Sequence, residues 1–134
     1  MKNTKSAKLF ALLTALLLLL STLPISAAAA DEITVYMSVS VRGELARGKD
    51  GTIIACVPLA LEEGSATVHE AIAALHDAYF EGGSQAGYAA TESSFGGMSM
   101  DMLWGKTDGV GGFYINGDMP PYTVDAATLS DGDV

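Results

Sequence analysis

The chain has few basic residues, and those it has are unevenly placed. Seven of its 134 residues are Lys or Arg, against 16 Asp or Glu. Lys2, Lys5 and Lys8 all lie at the N-terminus, so residues 31–134 hold four basic residues against all 16 acidic ones, a net charge of −12. Binding to nucleic-acid phosphates needs clustered Lys and Arg. This composition argues against nucleic acid and anionic membrane surfaces as partners and favours a well-dispersed domain.

Cysteine is also scarce, because Cys56 is the only one in the chain. No disulfide can therefore form within the chain. Cys56 lies in the apolar stretch 53–59, which has the composition of a strand, and a buried free thiol behaves as a small hydrophobic side chain. We expect Cys56 to be buried and unreactive.

No hydrophobic run reaches the roughly 20 residues that a transmembrane helix needs. The longest, from Leu9 to Leu20, follows the N-terminal lysines and precedes Pro24 and the small residues 27–30. A basic start, a short apolar run and a small-residue end are the parts of a secretory signal peptide, and the run is too short for an uncleaved anchor. We predict a signal peptide at residues 1–30, cleaved after Ala30, and one domain at residues 31–134. Its predicted location is secreted, extracellular or at the cell surface.

Two stretches near the start of this domain have the pattern of strands. Residues 33–41 alternate apolar and polar side chains, which is typical of a half-buried strand. Residues 49–51 (KDG) form a turn signal, and residues 52–61 are β-branched and apolar, with Pro58 marking an edge or an irregular end. We expect the two strands to pair as a long hairpin.

One helix is strongly indicated after these strands. Thr67 and Glu70 have the spacing of a capping box, which marks the start of the helix. Its apolar face is formed by residues 68, 72, 75 and 79. Gly82 and Gly83 mark its end. Residues 84–97 are predicted as a loop, residues 98–104 and 113–115 as strands, and residues 116–117 (NG) as a turn. Strands around one helix indicate an α+β domain, with the helix packed on a mainly antiparallel sheet.

Four short motifs give residues 33–134 a resemblance to a known family. They are residues 67–72 (TVHEAI), 103–105 (LWG), 112–117 (GFYING) and 129–134 (LSDGDV). With them the domain resembles the small secreted domain, common in Gram-positive bacteria, that is related to the C-terminal domain of transcobalamin and intrinsic factor. The third motif is similar to the family's Gly-aromatic-x-Tyr-x-Val-Asn-Gly signature, shortened by one residue.

The resemblance implies a β-grasp-like fold, extracellular placement and no catalysis. In the vitamin carriers the related domain helps to cover a corrinoid beside a second, helical domain, which this sequence lacks. Family members continue through a further strand after the fourth motif, so the resemblance implies that the final strand is truncated here. Corrinoid (cobalamin) binding is thus an implication of the resemblance alone.

The predicted ligand-binding residues lie at a glycine-rich, aromatic edge. They are Trp104, Gly112, Tyr114 and Asn116. Aromatic side chains beside glycine-rich loops suit a small molecule or an extracellular protein as partner. The alternative is structural: Trp104 and Tyr114 complete the core, and Asn116 only forms a turn.

An alternative function rests on Met98, Met100 and Met102, which alternate along a predicted strand. Thioethers on one face could bind Cu(I), a soft cation, although methionine also fills irregular cores. His69 and His76 lie two helical turns apart, too far to share a metal, and are predicted to be solvated. No nucleophile and base are paired, so we expect no catalytic residues and no cofactor. The sequence therefore predicts a non-catalytic binding or adhesion module.

Overall fold

The computed structural model describes residues 31–134, and the predicted signal peptide lies outside this range. The strands are β1 (Glu32–Met37), β2 (Ser40–Val41), β3 (Glu44–Leu45), β4 (Val57–Glu62), β5 (Ala89–Glu92) and β6 (Met98–Met102). The helices are α1 (Val68–Tyr79) and the short α2 (Ser84–Gly87), and a 3₁₀ turn spans Glu63–Ser65. The predicted α+β class, with mainly antiparallel strands and one main helix, is confirmed. The β-grasp arrangement remains a prediction.

Strands β1 and β4 form the predicted antiparallel pair. Val35 lies opposite Leu59, and Tyr36 lies opposite Pro58, a pair in which proline's missing N–H costs no hydrogen bond. The hairpin is less regular than the alternation predicted, because the chain leaves β1 after Met37 and forms the small β2–β3 hairpin. Strand β4 starts only at Val57.

Helix α1 begins where the sequence predicts. Thr67 Oγ1 accepts from the N–H of Glu70 at 3.2 Å. The N–H groups of Val68 and His69 donate to carbonyls of Ala127 and Val124, at 2.9 and 2.8 Å. The first turn of a helix leaves such N–H groups without partners inside the helix. Residues 124–127 therefore help to fix its start.

The helix divides the interior into two apolar clusters. The first lies between α1 and the β1–β4 pair and includes Val35, Ile54 and Leu75, of which Ile54 and Leu75 have no exposed surface. The second lies on the other side of α1 and is built from Val68, Ile72, Tyr88, Val124 and Ala127. Strands β5 and β6, an antiparallel pair, contribute Ala90, Met98 and Met100 to its edge.

Three sequence predictions about secondary structure are wrong. Residues 84–97 are not one loop, because they contain α2 and β5. Residues 113–115 do not form a strand, since no other strand lies beside them within residues 31–134. The apolar stretch 52–61 is interrupted at Cys56, whose positive φ of 52° turns the chain before β4.

Candidate functional site

A cleft of about 450 Å³ opens beside β1. One wall is the chain from Val35 to Ser40, which includes the second half of β1, and the other is the segment from Gly112 to Ile115. Its floor is apolar and is supplied by α1, β6 and the residues after them, namely Val68, Ile72, Met100, Leu103 and Leu129. Its size and apolar lining are those of a ligand-binding pocket.

An Asn-Gly turn holds the second wall. Asn116 and Gly117 have φ of 53° and 89°. Ile115 and Asp118 exchange two backbone hydrogen bonds across them, at 2.9 and 3.0 Å. Positive φ at both central residues defines the type I′ turn that Asn-Gly favours. The turn predicted from the sequence at this point is confirmed.

Asn116 also fixes the last residues beside the cleft. Its Nδ2 donates to Asp133 Oδ1 at 2.8 Å, and its Oδ1 accepts from the N–H of Val134 at 2.9 Å. The other carboxylate oxygen of Asp133 accepts from the N–H of Ser130 at 2.8 Å. Asp133, the acidic residue in the lining, is therefore held by hydrogen bonds inside the protein.

The structure brings together some of the four predicted ligand-binding residues and not others. Gly112 and Tyr114 line the cleft, and Tyr114 is 63% exposed. Asn116 lies next to the cleft and holds its end without lining it. Trp104 lies outside the lining, in an aromatic cluster beside α1.

The sequence pattern does not predict the β1 wall of the cleft or Leu129 as part of a site. For residues 33–41 it indicates only a strand. The alternation in this stretch indicates a strand, and every strand has two edges that can pair. Which segment lies beside the second edge depends on the tertiary fold.

The aromatic cluster consists of His76, Phe80, Tyr88 and Trp104. The His76 ring centroid lies 4.7 Å from that of Trp104, and 5.6 Å from those of both Phe80 and Tyr88. Trp104 Nε1 donates to the carbonyl of Arg47 at 2.8 Å. Since Trp104 is only partly exposed and its N–H is satisfied, the alternative structural role of Trp104 fits these contacts.

His76 is fully buried, so its predicted solvated position is wrong. Its Nδ1 lies 2.7 Å from the carbonyl of Ile72 and must donate, while Nε2 accepts from the N–H of Trp104 at 3.1 Å. These partners require a neutral imidazole with its proton on Nδ1. Desolvation lowers the pKa of His76, opposed by its hydrogen bonds to backbone groups and by the nearby charge of Asp77.

Tyr88 joins the two histidines of the helix. Its hydroxyl lies 2.9 Å from His69 Nδ1. Burial, with smaller contributions from the charges of Asp125 and Glu70, raises the pKa of Tyr88 to about 12. Tyr88 therefore stays protonated at neutral pH, where it acts as a hydrogen-bonding and packing residue.

The methionine face is the set Met98, Met100 and Met102 on β6. All three are partly buried, but they do not share one side of the strand as the sequence predicts. Met100 pairs with Ala90 and Met102 with the adjacent Ala89, because the register shifts between these two residues, so Met102 lies on the opposite face from Met98 and Met100. Same-side neighbours on a strand are separated by about 7 Å along it. Met98 and Met100 pack on the second apolar cluster, and Met100 also lines the cleft.

Cys56 is exposed, so the prediction that it is buried is wrong. Its N–H donates to Ser38 Oγ at 2.8 Å. The turn caused by its positive φ brings its side chain out of the apolar stretch.

Within residues 31–134, His, Cys, Asp and Glu side chains form no group of three or more that could hold a metal ion. None of the helices in this part of the chain has both the length and the apolar character needed to cross a membrane.

Comparisons with protein-family models, curated proteins and solved structures found no match.

Proposed function

We propose that this chain is a secreted, non-catalytic binding or adhesion module whose ligand lies in the cleft beside β1. The observation that carries the proposal is the combination of a 450 Å³ cleft with an apolar floor and an exposed tyrosine at its rim. A concave, mostly apolar cleft with a few polar groups is the usual form of a small-ligand site. The net charge of −12 and the signal-peptide pattern support an extracellular location.

The lining indicates what kind of ligand fits. Most of its side chains are aliphatic, aromatic or methionine, and the carboxylate of Asp133 is already engaged. At one wall the exposed hydroxyl of Ser40 offers hydrogen bonds, and the hydroxyl of Ser38, which accepts from the N–H of Cys56, keeps its own proton to donate. This surface suits a largely apolar ligand with few polar groups. A corrinoid, the ligand implied by the family resemblance, carries several polar amide side chains, so only an apolar part of its surface would meet this lining.

The proposal is tested by equilibrium dialysis of the purified, folded protein against cyanocobalamin and cobinamide, with absorbance detection. We expect saturable binding that Tyr114→Ala weakens by at least about fivefold, the usual threshold for an energetically important contact. Tyr122→Ala is the matched control, because Tyr122 is 62% exposed and lies outside the lining. Equal weakening by both substitutions would remove the cleft as the site.

Trp104→Ala separates the two interpretations of Trp104. Because Trp104 lies outside the lining, its removal should lower the melting temperature while leaving ligand affinity in the folded protein unchanged. A loss of affinity at temperatures where the variant is folded would return Trp104 to the binding site.

A second proposal is extracytoplasmic copper binding by the methionine face. Its support is that Met98 and Met100 place two thioethers on one face of β6 and that soft Cu(I) prefers such ligands. The packing of Met98 and Met100 on the second cluster favours a structural role, so this proposal ranks below the first.

A further inference from the structure

One side of the β1–β4 pair is bonded to residues 131–133. The N–H of Thr34 donates to Asp131 Oδ1, its carbonyl accepts from the N–H of Gly132, and the N–H of Tyr36 donates to the carbonyl of Asp133, each at 2.8 Å. The order across this sheet is therefore residues 131–133, then β1, then β4. A strand in line with residues 131–133 lies along β1, so it does not reach the far side of β4.

Strand β4 directs a second set of backbone groups outward. In an antiparallel pair, residues that lie opposite each other either exchange hydrogen bonds or both point to the outer edges. Thr34 and Tyr36 bond on the side away from β4. Their opposite residues, Ala60 and Pro58, therefore point away from β1. Glu62, two residues after Ala60, has the same direction.

The outward edge of β4 is unpaired. Its open groups are the carbonyls of Pro58 and Ala60 and the N–H groups of Ala60 and Glu62, and within residues 31–134 none of these four makes a hydrogen bond. The side chains of these three residues are exposed, whereas Leu59 and Leu61 between them are buried. An open strand edge of this kind is a template for another chain.

Carboxylates gather at one end of this edge. Glu32 and Glu62 lie directly opposite each other, and like charges in this position are unfavourable. The N–H of Glu63 donates to the carbonyl of Asp31 at 2.8 Å, which places two more acidic residues at the same end. All four are exposed, and within residues 31–134 no Lys or Arg forms a salt bridge with any of them. A cation from a partner would reduce their repulsion.

A shallow depression of about 220 Å³ adjoins the same end of β4. It is lined by Glu32, Ala60, Leu61 and Glu62. Aliphatic atoms beside two carboxylates suit a long basic side chain, whose methylene stem covers apolar surface while its charged group stays in water. The depression therefore fits a Lys or Arg side chain opposite Glu62.

We propose that the outer edge of β4 binds an extended basic segment of a partner protein, antiparallel to β4. Antiparallel pairing is the more stable arrangement for each residue. The third residue of a five-residue segment would exchange two hydrogen bonds with Ala60. The fifth would donate its N–H to the carbonyl of Pro58, and the carbonyl of the first would accept from the N–H of Glu62. This edge lies on the other side of β1 from the cleft, so the proposal does not depend on the proposed function.

The chemistry of the partner segment follows from this register. Its first residue lies opposite Glu62 and is Lys or Arg, since opposite charges stabilise a cross-strand pair. Its second and fourth residues lie on the face of Leu61 and Leu59 and are apolar. A second copy of this chain is a poor occupant, because each copy has a net charge of −12.

Pro58 restricts what the edge accepts. Proline has no N–H, and proteins place it on strand edges to limit indiscriminate pairing. The acidic end disfavours anionic strands in the same way. Backbone bonds at Ala60 and Glu62 thus supply affinity, while the proline and the carboxylates exclude unsuitable strands.

The test titrates the end-blocked pentapeptide Lys-Val-Thr-Val-Thr into the purified, isotope-labelled protein and follows the backbone amides by NMR. We expect the amide protons of Ala60 and Glu62 to shift downfield and saturate with a Kd below about 3 mM. The reversed sequence, Thr-Val-Thr-Val-Lys, is the matched control and should bind at least about threefold more weakly at low salt. Equal binding of the two peptides would overturn the antiparallel orientation.

Substitutions test the protein side of the interaction. Ala60→Pro removes an outward N–H without removing a bond to β1, so it should weaken binding at least about tenfold. Ala60→Val keeps this N–H and should bind within about twofold of the wild type. Glu62→Gln should weaken binding about threefold, whereas Glu92→Gln, the same change on β5, should have no effect. Equal effects within either pair would overturn the proposal.

N-methylated peptides decide the question if Ala60→Pro does not fold. Methylation of the third amide, which donates to Ala60, should weaken binding at least about tenfold. Methylation of the fourth amide, which points away from β4, should change it by less than about twofold. Binding that survives methylation of the third amide would show that side chains alone hold the peptide, and it would overturn the proposal.

The remaining outcomes separate this proposal from the proposed function. Tyr114→Ala should leave peptide binding unchanged, because Tyr114 lies in the cleft. Peptide-induced shifts at residues 112–115 in place of Ala60 and Glu62 would move the peptide to the cleft and overturn the β4 site. A dimer in sedimentation that Ala60→Pro dissociates would identify a second copy as the occupant, and a different partner would then be excluded.

Discussion

Burial of a neutral histidine in the aromatic cluster makes stability depend on pH in a defined window. His76 has no exposed surface, and its Nε2 accepts the N–H of Trp104. Protonation would turn this acceptor into a donor facing another donor. Desolvation already lowers the pKa of His76 in the folded protein. The unfolded chain, whose imidazole has the ordinary pKa of about 6.5, therefore binds more protons than the folded one.

The direction and size of the effect follow from this difference. The stability contributed by neutral His76 is fully present above pH 6.5 and is lost as the pH falls below that value. Between pH 7.5 and pH 5.5 the free energy of unfolding falls by at most about 1.4 kcal/mol, the limit in which His76 stays neutral in the folded state. For a domain of this size, such a loss lowers the melting temperature by roughly 5–10 °C.

Chemical denaturation followed by tryptophan fluorescence measures this loss, since Trp104 is the only tryptophan and lies beside His76. His76→Gln should abolish the pH dependence in this window, and His69→Gln is the matched control that should retain it. Asp77, the charged neighbour of His76, and the other carboxyls with lowered pKa titrate at more acidic pH. An unchanged free energy of unfolding in the wild type, or an equal slope in His76→Gln, would refute this reasoning.

Three further outcomes are expected. Gly87→Ala should lower the free energy of unfolding by about 1–3 kcal/mol, because its Cβ would lie 2.5 Å from Phe80. Gly64→Ala is the control: its Cβ meets nothing within 4 Å, so it should change the free energy of unfolding by less than about 0.5 kcal/mol. Equal effects of the two substitutions in denaturant melts would contradict the packing around Gly87. Cys56 is exposed, so its rate of reaction with a thiol reagent such as dithionitrobenzoate should differ by less than about tenfold between the native and the urea-unfolded protein. Strong protection of the thiol in the native state would contradict its exposure. Replacing the methionine face by leucines should abolish any Cu(I) binding seen by competition with a chromogenic chelator, and unchanged binding would rule out these thioethers as ligands.

Local signals in the sequence predicted the features that depend on local chemistry. The Thr67–Glu70 spacing located the start of α1, because a capping side chain acts within one turn. Asn116 and Gly117 located a turn, because positive φ is locally permitted there. The pairing of β1 with β4 followed from two apolar stretches separated by a turn signal.

Features that depend on distant partners were missed. Strand β5 lies in a segment rich in small residues, and only its pairing with β6 makes it a strand. His76 is predicted to be solvated, yet it lies four residues after Ile72 and eight after Val68, a spacing that puts it on the buried face of the helix. Its burial depends on the carbonyl of Ile72 and the N–H of Trp104, and the second of these is supplied by a turn far along the chain.

The four predicted site residues show the same contrast between local signals and contacts with distant residues. Gly112 and Tyr114 lie together because they are neighbours in sequence on one wall of the cleft. Trp104 lies elsewhere because its own turn with Gly105, where φ is 52° and 71°, directs it against α1. Composition identified an aromatic edge, but the direction of each side chain was decided by the turn that carries it.

The bonds between β1 and residues 132–133 also bear on how the domain folds. They join the first strand of the described domain to its last residues, and the start of α1 likewise depends on residues 124–127. Contacts between such distant parts of a chain slow folding, since a long loop must close before they form. The β1 edge therefore stays unpaired until residues 131–133 are available to bond to it, and until then it can pair with chaperones or with other unfolded chains.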